Sequence, residues 1–107
     1  MVGEMMDDED QYDASDEKHI AAAERKAAQD EMNRVNVVRG IMGDKKGRAW
    51  MYDIMEKCHM YSPSFIPNDP YTTAFNEGER NVGNRILADI MKAAPDQYVK
   101  MCRENSN

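Results

Sequence analysis

The chain has 107 residues, enough for one small domain, and apolar residues make up 41% of it. Its mean hydropathy of -0.83 and the lack of any run of about 18 apolar residues exclude a membrane-spanning helix. The N-terminus is acidic, whereas a secretory signal begins with basic residues and continues with apolar ones, so we expect no export signal.

The net charge of -6 comes from one end of the chain. Residues 1–17 carry eight acidic residues and no basic one, which leaves twelve acidic and fourteen basic residues in the other 90. Residues 1–15 also lack a periodic apolar pattern, which predicts a disordered acidic tail. Two interpretations of this tail stay open: a solvated segment, or a segment that mimics the charge of nucleic acid or docks on a basic partner.

An Ala-rich helix is predicted over residues 16–39, because strong helix formers fill this stretch. Its apolar stripe is thin and consists mostly of alanine, so the helix needs a partner, either its own domain or another chain. Gly40 and Gly43 predict a break after Arg39, and Asp44 is suited to cap the next helix.

A second helix is predicted from Lys45 to Met60. One face of it carries Trp50, Ile54, Cys58 and Tyr61. Gly47 weakens this helix by roughly 1 kcal/mol relative to alanine. Four basic residues surround the preceding turn: Arg39, Lys45, Lys46 and Arg48. Phosphate contact is one interpretation of this cluster. A solvated turn is the other, and we expect no nucleic-acid partner.

Residues 61–72 form a connector stiffened by prolines 63, 67 and 70. The connector also carries three large apolar residues, Phe65, Ile66 and Tyr71. Such a loop either folds back over the core or presents a binding surface, and the sequence leaves both interpretations open.

A third helix is predicted from Thr72 or Thr73 to about Ala94. Its apolar stripe consists of Phe75, Val82, Ile86, Ile90 and Ala93. Gly78 and Gly83 lie inside it, and we expect close approach of a neighbouring helix as the reason for both. A short fourth helix begins at Pro95 and packs back through Tyr98, Val99 and either Met101 or Cys102.

These elements predict an all-α fold: a small bundle of three to four helices over residues 44–104, with a long N-terminal helix and a disordered acidic tail. We expect four core anchors, Trp50, Phe65, Phe75 and Tyr98. The ten methionines suit either gap-filling in a core with one leucine or an adaptable interface. A domain of this size buries only about 60% of its unfolded surface, so we expect assembly with another chain.

No catalytic motif is present, and we expect neither an enzyme nor a cofactor. Two histidines and two cysteines at unsuitable spacings predict no metal site, and the cysteines are expected to be free thiols. The densest polar segment holds Glu77, Arg80 and Asn81. A polar network that orients the third helix against the proline loop explains it, and a partner-binding patch or a catalytic use are the alternatives. The candidate protein-binding residues are therefore Phe65, Ile66, Tyr71, Glu77, Arg80 and Asn81.

Three segments of the chain resemble a known family: Arg48–Ile54 with Cys58 and Phe65, Thr73–Gly83, and Ala94–Met101. The family is a set of small proteins encoded among the head and assembly genes of short-tailed, podovirus-like bacteriophages. The resemblance covers roughly residues 34–104.

The resemblance implies a phage setting and a role in the virion or in its assembly, as a minor head, connector or ejected component. The protein would then be found in the virion or the host cytoplasm, and its partners would be phage structural proteins or further copies of itself. The alternative is a small intracellular effector that binds and inhibits a host protein.

Overall fold

A computed structural model of the protein describes the backbone of residues 2–106 and the side chains of residues 15–106. Within that range the chain forms four α-helices and no β-strand: α1 (Val2–Met42), α2 (Lys45–Lys57), α3 (Pro70–Ala93) and α4 (Pro95–Asn105). The predicted all-α class is confirmed. The side chains of residues 1–14 lie outside the described ones, so the acidic tail predicted over residues 1–15 stays a prediction. No helix in the described range is long and apolar enough to cross a membrane.

The chain divides into two units, residues 1–33 and residues 34–107. In the first unit none of the described side chains, 15–33, is buried, and Ile20 and Met32 are each 55% exposed. The described part of this unit therefore has no core of its own.

The second unit is built around methionine. Its core cluster consists of Met42, Met51, Met55, Ile90, Ala94 and Met101. The unbranched thioether side chain fills irregular spaces between helices, which suits a domain with one leucine. Gap-filling is thus the role of the four methionines in this cluster, one of the two roles that the sequence left open.

Three of the four predicted core anchors are wrong. Trp50, Phe65 and Phe75 are 56%, 67% and 68% exposed, whereas Tyr98 is half-buried against the core. The buried face of α2 consists of Arg48, Met51 and Met55. The prediction placed the ring of Trp50 in the core. The core is instead filled from the neighbouring face of α2, by the flexible side chains of Met51 and Met55.

The turn between α1 and α2 comes later than predicted, because α1 continues through Gly40 and ends at Met42. Asp44 caps α2 as expected, since its side chain accepts a hydrogen bond from the Gly47 amide at 3.2 Å. A Cβ atom at Gly47 would collide with the Ile41 carbonyl oxygen. The close approach of these two backbones therefore explains a glycine that propensity alone disfavours.

Arg48 was predicted to lie in an exposed basic cluster, but it is 4% exposed. Its Nε and Nη2 atoms donate to the two carboxylate oxygens of Glu104 at 2.6 and 3.0 Å. Its Nη1 atom donates to the Met42 carbonyl at 3.0 Å and to Gln97 at 3.3 Å. One side chain thus joins the end of α1, the start of α2 and both ends of α4.

The end of α2 and the start of α3 differ from their predictions by two or three residues. α2 ends at Lys57 because the chain turns at His59, which has a φ of 59°. The Met60 amide then donates to the Met55 carbonyl at 3.1 Å, the bond that closes a helix C-terminus in this geometry. α3 begins at Pro70, because Asp69 and not a threonine is its cap. α4 begins at Pro95 as predicted and buries Met101, although Val99 is 51% exposed.

Replacing Met55 with alanine should lower the free energy of unfolding by about 2–5 kcal/mol, because the side chain is fully buried. Trp50→Ala removes a larger side chain from the same helix but should cost less than about 1 kcal/mol, since that side chain is mostly exposed. Urea unfolding followed by circular dichroism measures both. Equal losses, or a larger loss for Trp50→Ala, would contradict this core.

The Arg48–Glu104 pair also predicts a pH dependence. Hydrogen bonds from the Arg48 guanidinium hold the pKa of Glu104 below its ordinary value of 4.5. A carboxyl whose pKa is lower in the folded state stabilises the fold above its ordinary pKa and loses that contribution as the pH falls through the folded value. The melting temperature of the wild type should therefore fall more steeply below about pH 4.5 than that of Glu104→Gln. Parallel curves in a pH series of thermal melts would show that the pair contributes nothing.

Candidate protein-binding surface

The middle of the proline loop is fixed to the start of α3 through Ser64. The backbone carbonyl of Ser64 accepts a hydrogen bond from the Asn76 side chain at 3.0 Å, and both residues are buried. The Ser64 hydroxyl donates to the Glu77 carboxylate. Two adjacent residues of α3 thus hold one point of the loop.

A second brace closes the loop around Thr73. The Ile66 amide donates to the Thr73 hydroxyl oxygen at 2.9 Å, and that hydroxyl donates to the Ile66 carbonyl at 3.3 Å. Asn68 has a φ of 63°, a conformation that asparagine tolerates well, and it turns the chain towards the Asp69 cap. Hydrogen bonds from Thr72 lower the pKa of Asp69, which stays ionised at the positive end of the helix.

A third brace joins α3 to the end of α2. Arg80 donates to the His59 carbonyl at 3.1 Å, and the His59 ring lies 3.0 Å from the Glu79 carboxylate. Glu77 therefore bonds to the connector and Arg80 to the end of α2, although their spacing also allowed a pair with each other. Of the three residues predicted to orient α3 against the proline loop, Glu77 bonds to the loop and Arg80 bonds to the end of α2.

With its backbone held in this way, the loop leaves its large apolar side chains outside. Phe65 is 67% exposed, Ile66 39%, Tyr71 87% and Phe75 68%. A shallow pocket of about 350 Å³ lies between the loop and α3. Its lining residues are Phe65, Ile66, Asn68, Asp69, Pro70, Thr73 and Ala74.

We call the set Phe65, Ile66, Tyr71, Ala74 and Phe75 the loop–α3 surface. Exposed aromatic side chains on a braced backbone suit protein binding, because little flexibility is lost when a partner covers them. Contiguous apolar patches of this kind on small proteins commonly mark interaction sites. Among the described residues there is no group of three or more side chains that could hold a metal ion.

Of the six predicted binding residues, Phe65 and Ile66 line the pocket, and Tyr71 is exposed in the first turn of α3. Glu77 is exposed and bonds to Ser64, and Asn81 is exposed farther along α3. Arg80 is half-buried and bonds to His59, on the side of α3 that faces the connector. The sequence analysis missed Phe75 as a surface residue because its spacing also fits the buried stripe.

A tyrosine cluster anchors the other end of the loop. The rings of Tyr52 and Tyr61 stack with their centres 4.9 Å apart, and the hydroxyls of Tyr61 and Tyr98 lie 3.1 Å from each other. Burial raises the pKa of Tyr61 and of Tyr98 above their ordinary value, so both phenols stay protonated at neutral pH. Cys58 and Cys102 are free thiols, as expected.

Comparison with known proteins gives one family. A family model described as Bbp19-like phage protein matches residues 38–103. The matched range contains all of α2 and α3, the proline loop and most of α4. Searches of curated proteins and of solved structures found no match.

Replacing Asn76 with alanine should loosen the loop, because the buried carbonyl of Ser64 loses its donor. We expect the free energy of unfolding to fall by about 1–3 kcal/mol. Amide hydrogens of residues 61–69 should also exchange faster in hydrogen–deuterium exchange. Asn81→Ala, an exposed position on the same helix, is the control and should stay within about 0.5 kcal/mol of wild type. Unchanged exchange in Asn76→Ala would show that the brace does not hold the loop.

Proposed function

Because the chain belongs to the Bbp19-like phage protein family, we propose that it is a virion-associated or assembly protein of a phage and acts by binding other proteins. A minor head, connector or ejected component of a short-tailed phage fits this role. The protein would then act in the host cytoplasm during assembly and in the particle afterwards.

The observation that supports the binding role is the exposed loop–α3 surface. Four large apolar side chains, each at least 39% exposed, lie on the proline loop and the start of α3, and the loop backbone is fixed by hydrogen bonds to Asn76 and Thr73. Leaving such groups in water is unfavourable, and covering them with a partner stabilises the complex by roughly 25 cal/mol per Å² of apolar area. Binding would therefore use aromatic anchors at the centre of a contact.

The polar groups around the loop–α3 surface are arranged as expected for a contact with an apolar centre. The polar groups closest to the surface are already used inside the chain: Asp69 caps α3, Thr73 bonds to Ile66 and Glu77 bonds to Ser64. A partner would thus meet carbon atoms first, with the polar groups forming the rim. This arrangement is typical of protein–protein contacts.

Mass spectrometry of purified virions tests the proposal, and we expect the protein at many copies per particle. A phage that carries Phe65→Ser together with Tyr71→Ser should package at most about a tenth as much of it, since hot-spot aromatics carry most of the binding free energy. A phage with Trp50→Ser, which changes an exposed aromatic on α2, is the matched control and should package it normally. Circular dichroism of each variant checks that its fold is intact.

A protein absent from virions but bound to a host protein in infected cells would contradict the proposal. That result would support the alternative of an intracellular effector.

A further inference from the structure

One face of α3 carries a regular series of exposed residues that continues beyond the loop–α3 surface. The series is Tyr71, Phe75, Gly78, Val82, Arg85 and Asp89. Their spacings of four, three, four, three and four residues are those of the contact seam between two packed helices. The first five are exposed and Asp89 is half-buried. We call this series the α3 seam.

The opposite face of the same helix is already packed. Asn76, Gly83 and Ile90 are buried there, at spacings of seven residues. The α3 seam is thus a second face of the helix, which the domain leaves exposed from Tyr71 to Arg85.

The two glycines of α3 differ in what surrounds them. A Cβ atom at Gly83 would lie 2.7 Å from the Met60 sulfur and 2.8 Å from the Cys58 Cβ, so packing inside the domain accounts for this glycine. A Cβ atom at Gly78 would meet nothing within 4 Å. The close approach expected from the sequence is therefore present at Gly83 and absent at Gly78 within the chain. A glycine in mid-helix lowers helix stability, and its missing side chain allows another backbone to come near.

The residues on either side of Gly78 complement each other when two copies of the seam run antiparallel. With the crossing at Gly78, Phe75 of one copy lies opposite Val82 of the second copy, so ring and branched side chain fill the same layer. Two turns from the crossing, Tyr71 lies opposite Arg85 of the second copy, and an arginine stacks favourably on a tyrosine ring.

A parallel arrangement lacks this complementarity. It would place Arg85 beside Arg85 and Asp89 beside Asp89, and like charges at such distances repel each other. It would also leave Tyr71 opposite a second Tyr71 without a cation.

We propose that the α3 seam is the interface of a symmetric dimer, in which the α3 helices of two copies of this chain cross antiparallel at Gly78. The inference rests on the proposed function in that the seam overlaps the loop–α3 surface, and it names a second copy as the partner there. A two-fold axis gives both chains the same contacts and closes the assembly at two copies.

Sedimentation equilibrium of the full chain tests the dimer, and Gly78→Leu is the informative variant. The open space at Gly78 accepts the side chain in the monomer, but a helix crossing there would be pushed away. We expect the dissociation constant of the dimer to rise at least about tenfold. At concentrations where the protein is a monomer, Gly78→Ala should raise the melting temperature by about 4 °C, because alanine favours the helix.

Gly40→Ala is the matched control, since Gly40 is also helical and its Cβ would also meet nothing within 4 Å. It should gain thermal stability and leave the dissociation constant unchanged. A wild-type chain that stays monomeric up to about 1 mM, or a Gly78→Leu dimer as tight as wild type, would overturn the proposal. If the protein is a monomer but is still packaged in virions, the dimer is overturned and the proposed function stands.

Cross-linking decides the orientation. In a background with Cys58→Ala and Cys102→Ala, we expect a mixture of Phe75→Cys and Val82→Cys chains to form disulfide-linked heterodimers on mild oxidation. Links that form mainly within the Phe75→Cys chains alone would show a parallel pair and contradict the antiparallel crossing. Links in neither sample would contradict the seam as the interface.

Discussion

The buried guanidinium of Arg48 constrains the domain more than any other described side chain. Burying a charge is unfavourable unless its partners replace water, and here Glu104, Gln97 and the Met42 carbonyl do so. Those partners come from the end of α1 and from both ends of α4. The position of α2 against these elements is therefore set by directional hydrogen bonds as well as by apolar contacts. In the described part of the chain no buried side-chain nitrogen or oxygen lacks a hydrogen-bond partner. The apolar core can then be small, because the polar geometry selects one packing arrangement.

The methionine core and the exposed aromatic side chains both follow from the small size of the domain. Met42, Met55 and Met101 are fully buried and adapt their shape to helices that are placed by Arg48 and by the tight turn at Gly47. Large rings are not needed inside, so residues such as Phe75 remain on the surface. The hydrogen bonds that brace the proline loop hold the backbone on either side of Phe65 in place.

The sequence predicted the helices well and their buried faces poorly. Propensity and turn residues identified four helices, and local chemistry identified the Asp44 cap and the Pro95 start. The buried face of α2 could not be predicted, because periodicity defines two apolar faces and the ring of Trp50 favoured the wrong one. Arg48 was placed outside because its partner Glu104 is 56 residues away in sequence. Phe65, Ile66 and Tyr71 were recognised as a group from composition alone, but whether the loop covers the core or faces solvent depends on contacts such as Asn76 with Ser64. Those contacts join distant residues and leave no periodic pattern.

The most direct test of this account is to compare the oxidation rates of individual methionines in the native protein. Limited treatment with hydrogen peroxide, followed by peptide mass spectrometry, reports the exposure of each sulfur. Met42, Met55 and Met101 are 0% exposed, whereas Met32 and Met91 are 55% and 50% exposed. Met42, Met55 and Met101 should be oxidised far more slowly than Met32 and Met91 until the protein is unfolded with urea. Oxidation of all five at similar rates in the native state would contradict a methionine core with its aromatic side chains outside.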